Sequence, residues 1–153
     1  MAANADFNLL QNKDDNKMFC RLILKNTSDE LNKLSAWVND DIAALFKISE
    51  STVFKIDLVL TELVANIISY AYPNHIESEI EIRCHFLQDS ISIDIADSGI
   101  PFNPLTIPDV VLPKTLAEAN VGGLGMHLVR HYIEVGSYQR KDDKNIFTAK
   151  LKI

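Results

Sequence analysis

The chain has little cysteine, little glycine and few cations for its length. Two cysteines in 153 residues, Cys20 and Cys84, are too few for a disulfide scaffold. Neither belongs to a Cys-x-x-Cys pair and each sits in an apolar run, so both read as buried free thiols. No apolar run approaches the ~18 residues of a membrane span. The stretch MAANADFNLLQNKDDNK has no charged segment followed by an apolar one, so a secretory leader is not expected and a cytoplasmic location is. Lys plus Arg total 15 against 21 Asp plus Glu, a net charge of −6. Neutralising a phosphate backbone or an anionic membrane needs clustered cations, so neither nucleic acid nor membrane is expected as a direct partner.

What is present is a core. Apolar residues make up 47% and charged residues 24%, the composition of one globular domain. A chain this long buries roughly 68–70% of its unfolded surface and needs no metal or disulfide staple. Residues 1–17 are polar and read as a flexible N-terminal arm; residues 18–153 read as the domain. Met18 to Lys25 is apolar enough for a strand. Thr27 and Glu30 have capping-box spacing and open a helix with apolar positions Leu31, Leu34, Trp37 or Val38, Ile42 and Leu45. Lys47 to Glu50 breaks it. Ser51 is placed to cap a second helix, which keeps the helical period from Val53 to Ile68 and stops before Pro73.

The period then changes to two. Ile80, Ile82, Cys84 and Phe86 alternate with polar residues, and after a Gln-Asp-Ser turn so do Ile91, Ile93 and Ile95, which predicts an antiparallel hairpin. Residues 97–122 form a long loop, with a short helix at Lys114 to Ala119. A helix over Met126 to Ile133 follows, and a last hairpin, Val135 to Lys141 and Ile146 to Ile153, turns around residues 142–145. Phe147, Ala149, Leu151 and Ile153 share one face of it. The economical packing is an α+β two-layer sandwich, a mostly antiparallel sheet with helices on one face.

Three segments carry chemistry. Glu62 and Asn66 are four residues apart and share a helix face at the edge of the apolar stripe. A carboxylate can take a proton, and an amide oxygen can coordinate Mg²⁺ without adding charge. Asp97-Ser98-Gly99-Ile100-Pro101-Phe102-Asn103-Pro104 follows a strand directly. A carboxylate there can reach a ligand amine while the glycine lets the backbone turn closely past it. Gly122-Gly123-Leu124-Gly125 enters a helix, whose unpaired N–H groups and positive dipole end suit phosphate. An acidic chain can hold one ATP in this way. The glycine run is neither a Walker A loop, lacking Gly-Lys-Ser/Thr, nor a Rossmann fingerprint, lacking a preceding strand. Each segment alone is an ordinary turn, cap or surface pair.

Together and in this order, Glu62-x-x-x-Asn66, Asp97-x-Gly99-x-Pro101-Phe102-Asn103-Pro104 and Gly-Gly-Leu-Gly-Met-His-Leu resemble the nucleotide boxes of the GHKL ATPase superfamily. The run from Glu62 to Pro73, ELVANIISYAYP, and the Pro-Phe-Asn-Pro extension are similar to its anti-sigma-factor serine/threonine kinase branch. The resemblance spans residues 18–153. It implies a histidine-kinase-like ATPase fold and an ATP-dependent protein kinase that phosphorylates a STAS-type anti-anti-sigma partner and binds a sigma factor. It implies Glu62 as the general base, Asn66 as the Mg²⁺ ligand, and Asp97 as acceptor for the adenine amino group, with Gly99 allowing close approach. Residues 105–121 would be the ATP lid. Gly122, Gly123, Leu124, Gly125 and Met126 would hold the phosphates, and Thr148 on the last strand would back the adenine through water. The branch also implies a homodimer through the first strand and helix. The other readings are a nucleotide-gated binding module with little phosphoryl transfer, and a degenerate fold that binds no nucleotide.

Tyr70 stands where that branch often has His, and Tyr-Ile-Glu-Val-Gly (132–136) departs from its usual acidic sequence. His127 and His131 have i, i+4 spacing, but no intervening Glu or third ligand accompanies them, so they read as solvated or packing histidines.

Overall fold

The structure, a computed structural model, describes residues 18–108 and 124–153. Its strands are β1 (Met18–Lys25), β2 (Glu79–Phe86), β3 (Ser90–Asp97), β4 (Ile133–Lys141) and β5 (Lys144–Lys152). They form one sheet in the order β1-β2-β3-β5-β4, with every neighbouring pair antiparallel. Between β1 and β2 run α1 (Glu30–Ala36), a π-helical turn (Trp37–Ile42), α2 (Ala43–Phe46) and α3 (Glu50–Tyr70). A 3-10 turn at Pro104–Thr106 follows β3, and α4 (Leu124–Tyr132) leads into β4. This is the expected α+β sandwich. Among the described residues no helix is long and apolar enough to cross a membrane.

Alternation decides which face of the sheet meets the helices. Leu22, Ile82, Ile93, Ile95, Phe147 and Ala149 are buried against Leu34, Ile56, Leu60, Leu63 and Val64. Cys20 and Cys84 lie directly opposite each other on that face, and both are buried free thiols. The other face carries polar side chains that pair across strands. Arg21 meets Glu81 at 3.0 Å and His85 meets Asp94 at 3.3 Å. The π-helical turn adds a residue to the helical period, so Trp37 and Val38, alternatives in the simple pattern, are both inside at 2% and 0% exposure.

Two expected caps are not made. The Thr27–Glu30 capping box does not form, because the first-turn donors are already used. Thr27 and Ser28 carbonyls accept the Glu30 and Leu31 N–H groups, and the Glu30 carboxylate accepts the Lys25 N–H at 3.2 Å. Ser49, not Ser51, caps α3. Lys47 takes a left-handed conformation (φ 49°) that ends α2, Ser49 is then extended, and its Oγ accepts the Thr52 N–H at 3.2 Å.

The last hairpin is tighter than the sequence suggests. Asp142 and Asp143 both have positive φ, 51° and 58°, which makes a two-residue turn between Lys141 and Lys144. Lys144 and Asn145 therefore belong to β5. The arm at 1–17, the helix expected at 114–119, and Gly122 and Gly123 lie outside the described residues.

Candidate functional site

α3 buries Leu60, Leu63, Val64 and Ile67, which leaves Glu62 and Asn66 half-buried on its flank, one turn apart. Among the described residues neither side chain makes a hydrogen bond or ion pair. Glu62 also lines a groove of about 310 Å³ between α1 and α3, with Ser35, Phe54, Asp57 and Thr61.

The start of α4 faces this flank. A β-carbon on Gly125 would overlap the Glu62 carboxylate and lie 3.0 Å from its Cγ. The helix backbone can approach Glu62 only because residue 125 has no side chain. α4 begins at Leu124 among the described residues, and the first N–H groups of a helix have no partner within it. The Met126 side chain points away into the core at 1% exposure and, with buried Val129, anchors α4. Arg130 donates to the carbonyls of Leu105, at 3.3 Å, and Ile107, fastening α4 to the segment after Pro104.

Asp97 ends β3 and is 2% exposed. Its Oδ1 accepts the Gly99 N–H at 2.8 Å and the Asn145 Nδ2 at 2.9 Å. Burial takes the carboxylate out of water and raises its pKa above the ordinary value. The bonds from Asn145 and Gly99, the charge of Arg140 and the Tyr72 hydroxyl pull in the other direction without cancelling that rise. Gly99 has no room for a side chain either. A β-carbon there would be 2.5 Å from the Ala71 carbonyl oxygen, and the Ile100 N–H donates to that same oxygen at 2.8 Å. The loop is thereby fixed to the end of α3, five residues beyond Asn66, a rise of about 7.5 Å. Tyr70, the departure noted above, is exposed and stacks on Phe102 with centroids 5.4 Å apart.

A family model described as "Histidine kinase-like ATPase domain" matches residues 24–151. The chain belongs to that family. Among curated relatives, "Serine/threonine-protein kinase BtrW" of Bordetella bronchiseptica is 33% identical over 96 residues, covering 62% of this chain and 67% of the relative. "Serine-protein kinase RsbW" of Listeria innocua is 23% identical over 92 residues, covering 58% of this chain and 59% of the relative.

Within this histidine kinase-like ATPase domain, Glu62 and Gly125 meet where α3 packs on α4, Leu124 and Met126 flank Gly125 in the same helical turn, Asn66 lies one turn along α3 from Glu62, and Asp97 with Gly99 lies at the end of β3. Thr148 joins neither group. It pairs with Asp94, its Oγ1 donates to Asp94 Oδ1 at 2.7 Å, and both lie on the face turned away from the helices. The reason is strand parity: buried Phe147 and Ala149 flank Thr148, so it must point the other way. The β5 residue opposite Asp97 is Asn145. It pairs with Asp97 in register, is 2% exposed and touches the carboxylate directly. The same alternation in β5 carried this signal, but reading it required the two-residue turn that brings Asn145 into the strand.

Proposed function

We propose that this chain is an ATP-dependent protein serine/threonine kinase acting as an anti-sigma regulatory factor. In this reading it works in the cytoplasm as a homodimer, phosphorylates a STAS-type anti-anti-sigma protein and binds a sigma factor. The observation that carries the kinase reading is the apposition of Glu62 and Gly125. A carboxylate with no protein partner among the described residues is held against the first turn of a helix whose amides suit phosphate oxygens. The names of the two relatives support the same activity.

The residues fit the roles. Glu62 takes the proton from the acceptor hydroxyl, which can reach it along the groove between α1 and α3. The amides of Leu124, Gly125 and Met126 hold phosphate oxygens, with Gly122 and Gly123 extending that run in sequence. Asp97 accepts the adenine amino group. The Asn66 amide is a neutral oxygen donor with no competing hydrogen bond among the described residues, suited to Mg²⁺. Mg²⁺ supplies charge neutralisation on the transferring phosphoryl group when bound. The rest of the rate comes from positioning and fixed dipoles.

The test is incubation with labelled ATP, Mg²⁺ and a cognate STAS protein. Wild type transfers label to the partner; Glu62→Ala binds ATP and does not. No transfer by wild type, or equal transfer by both, sinks the kinase reading.

A further inference from the structure

We infer that a cleft between the turn after α3 and the loop after β3 is a binding site for a small apolar carboxylate, which Arg140 receives. The cleft has a volume of about 330 Å³, and Tyr72, Pro73, Ile76, Ile100, Pro101 and Arg140 are among the residues that line it. Small-molecule sites run from about 300 to 1,000 Å³, so this one fits a single ring or branched chain. Glu62, Asn66 and Asp97 do not line it, and the inference does not rest on phosphoryl transfer.

The walls are fixed by the protein itself. Buried Asn26, just after β1, donates from Nδ2 to the Ile76 carbonyl and accepts the Ser78 N–H on Oδ1, both at 2.8 Å. His75 takes a left-handed conformation (φ 52°), and its N–H donates to the Tyr72 carbonyl at 3.2 Å. The Tyr72 hydroxyl accepts the Ser98 N–H at 3.2 Å, and the Ile100 N–H is held by the Ala71 carbonyl. These bonds occupy the backbone around the cleft, yet Ile76 and Ile100 remain 68% and 50% exposed. Two isoleucines on one rigid cleft are apolar surface that folding leaves in water and a ligand can cover without a cost of ordering the site.

Arg140 sets the charge of the ligand. Its Nη1 donates to the Gly99 carbonyl at 2.7 Å and to Asn145 Oδ1 at 3.0 Å, which pins the guanidinium at the cleft. Among the described residues Nη2 and Nε make no hydrogen bond, and no carboxylate forms an ion pair with Arg140. Asp97 feels the Arg140 charge, but its carboxylate is buried and bonded to Gly99 and Asn145. Glu77, also on the lining, is held by Lys25 at 2.9 Å. A planar guanidinium with an unfilled fork matches the two oxygens of a carboxylate. One cation among apolar walls favours a monoanion with an apolar body over a phosphate, whose second charge would be left uncompensated.

Two probes of equal shape and different charge test this. Hydrocinnamate and its neutral amide are titrated into the isotope-labelled full chain and followed by NMR. Hydrocinnamate should bind wild type with a dissociation constant of about 1 mM or below, and the neutral probe at least ~10-fold more weakly. The backbone signals of Ile76, Ile100 and Arg140 should move. Arg140→Gln keeps a donor for the Gly99 carbonyl and should erase the preference for the charged probe. Ile76→Glu, at an exposed position, should weaken both probes. Saturating ADP with Mg²⁺ should leave hydrocinnamate binding in place, because the cleft lies apart from Glu62 and Asn66. No binding by wild type at ~10 mM overturns the inference, as does equal affinity for the two probes. So does an unchanged preference in folded Arg140→Gln, or loss of hydrocinnamate binding under ADP. If Arg140→Gln does not fold, Ile76→Glu decides, and unchanged hydrocinnamate binding there overturns the inference.

Discussion

A β-carbon on Gly125 would occupy the space of the Glu62 carboxylate, so the first turn of α4 and the flank of α3 meet at one residue with no side chain. This contact brings the two halves of the candidate phosphate site together. It also exposes them to a single methyl group.

Gly125→Ala should therefore separate folding from phosphoryl transfer. The obstructing atoms are the far end of a flexible side chain, which can swing aside, and Ala favours a helix over Gly by up to about 1 kcal/mol. The melting temperature should hold or rise slightly. Phosphate transfer should fall by at least ~10-fold because the displaced carboxylate no longer meets the hydroxyl, while ADP affinity changes much less. Thermal melts, calorimetry and a labelled-ATP assay on one preparation check all three. A variant with full activity would show that the position of Glu62 does not matter.

Gly99→Ala should behave in the opposite way. Its β-carbon would meet backbone atoms, the Ala71 carbonyl oxygen at 2.5 Å and carbonyl carbon at 2.9 Å, and these cannot swing aside. The loop must pull away from α3, breaking the Ile100 to Ala71 hydrogen bond. A loss of about 2 kcal/mol is expected. Urea denaturation should show it as a lower midpoint with an unchanged slope. An unchanged midpoint would mean that the loop does not rest on Ala71 in solution.

Asp97→Asn should weaken adenine nucleotide binding without weakening the fold. Burial raises the folded-state pKa of Asp97 above the ordinary value of 3.8. For an acid shifted upward, the favourable contribution is present below the ordinary pKa and is lost as pH rises through the folded value. At neutral pH the ionised group is therefore a cost, and Asn removes that cost while still accepting from Gly99 and Asn145. The melting temperature at pH 7 should equal or exceed that of wild type, with the difference shrinking toward pH 4. ADP affinity should fall by about 10-fold or more, since a charged acceptor is replaced. Parallel melts across that pH range and an ADP titration test both halves.

Much of this was legible from residue order. The switch from helical to period-two spacing at Glu79 located the β2–β3 hairpin because burial on one face acts residue by residue along a strand. Glu62 and Asn66 shared a face because helix geometry makes them share it. The glycine at 125 marked a close approach, although only the fold shows that its neighbour is Glu62. Ser51 and the Thr27–Glu30 box were plausible local caps, and both were displaced by their surroundings. The left-handed turn at Lys47 moved the start of α3 to Ser49, and the turn at Thr27 had already used the donors that the box would have capped.

Thr148 and Asn145 mark the boundary between the two kinds of information. Alternation along β5 was enough to turn Thr148 away from the core, since a side chain between buried Phe147 and Ala149 has no other direction. Nothing local says which residue of β5 stands opposite Asp97. β5 inserts between β3 and β4, and its register depends on a two-residue turn at Asp142 and Asp143 and on cross-strand packing with a strand far earlier in the chain. A slip of one residue would reverse every side chain of β5, and the buried face forbids it. By itself the sequence determined the elements, the buried faces and the residue types that could do the chemistry, because those follow from periodicity. Only the tertiary structure decided that Asn145 touches Asp97 and Gly125 touches Glu62, because contacts between distant elements are set by packing the whole core at once.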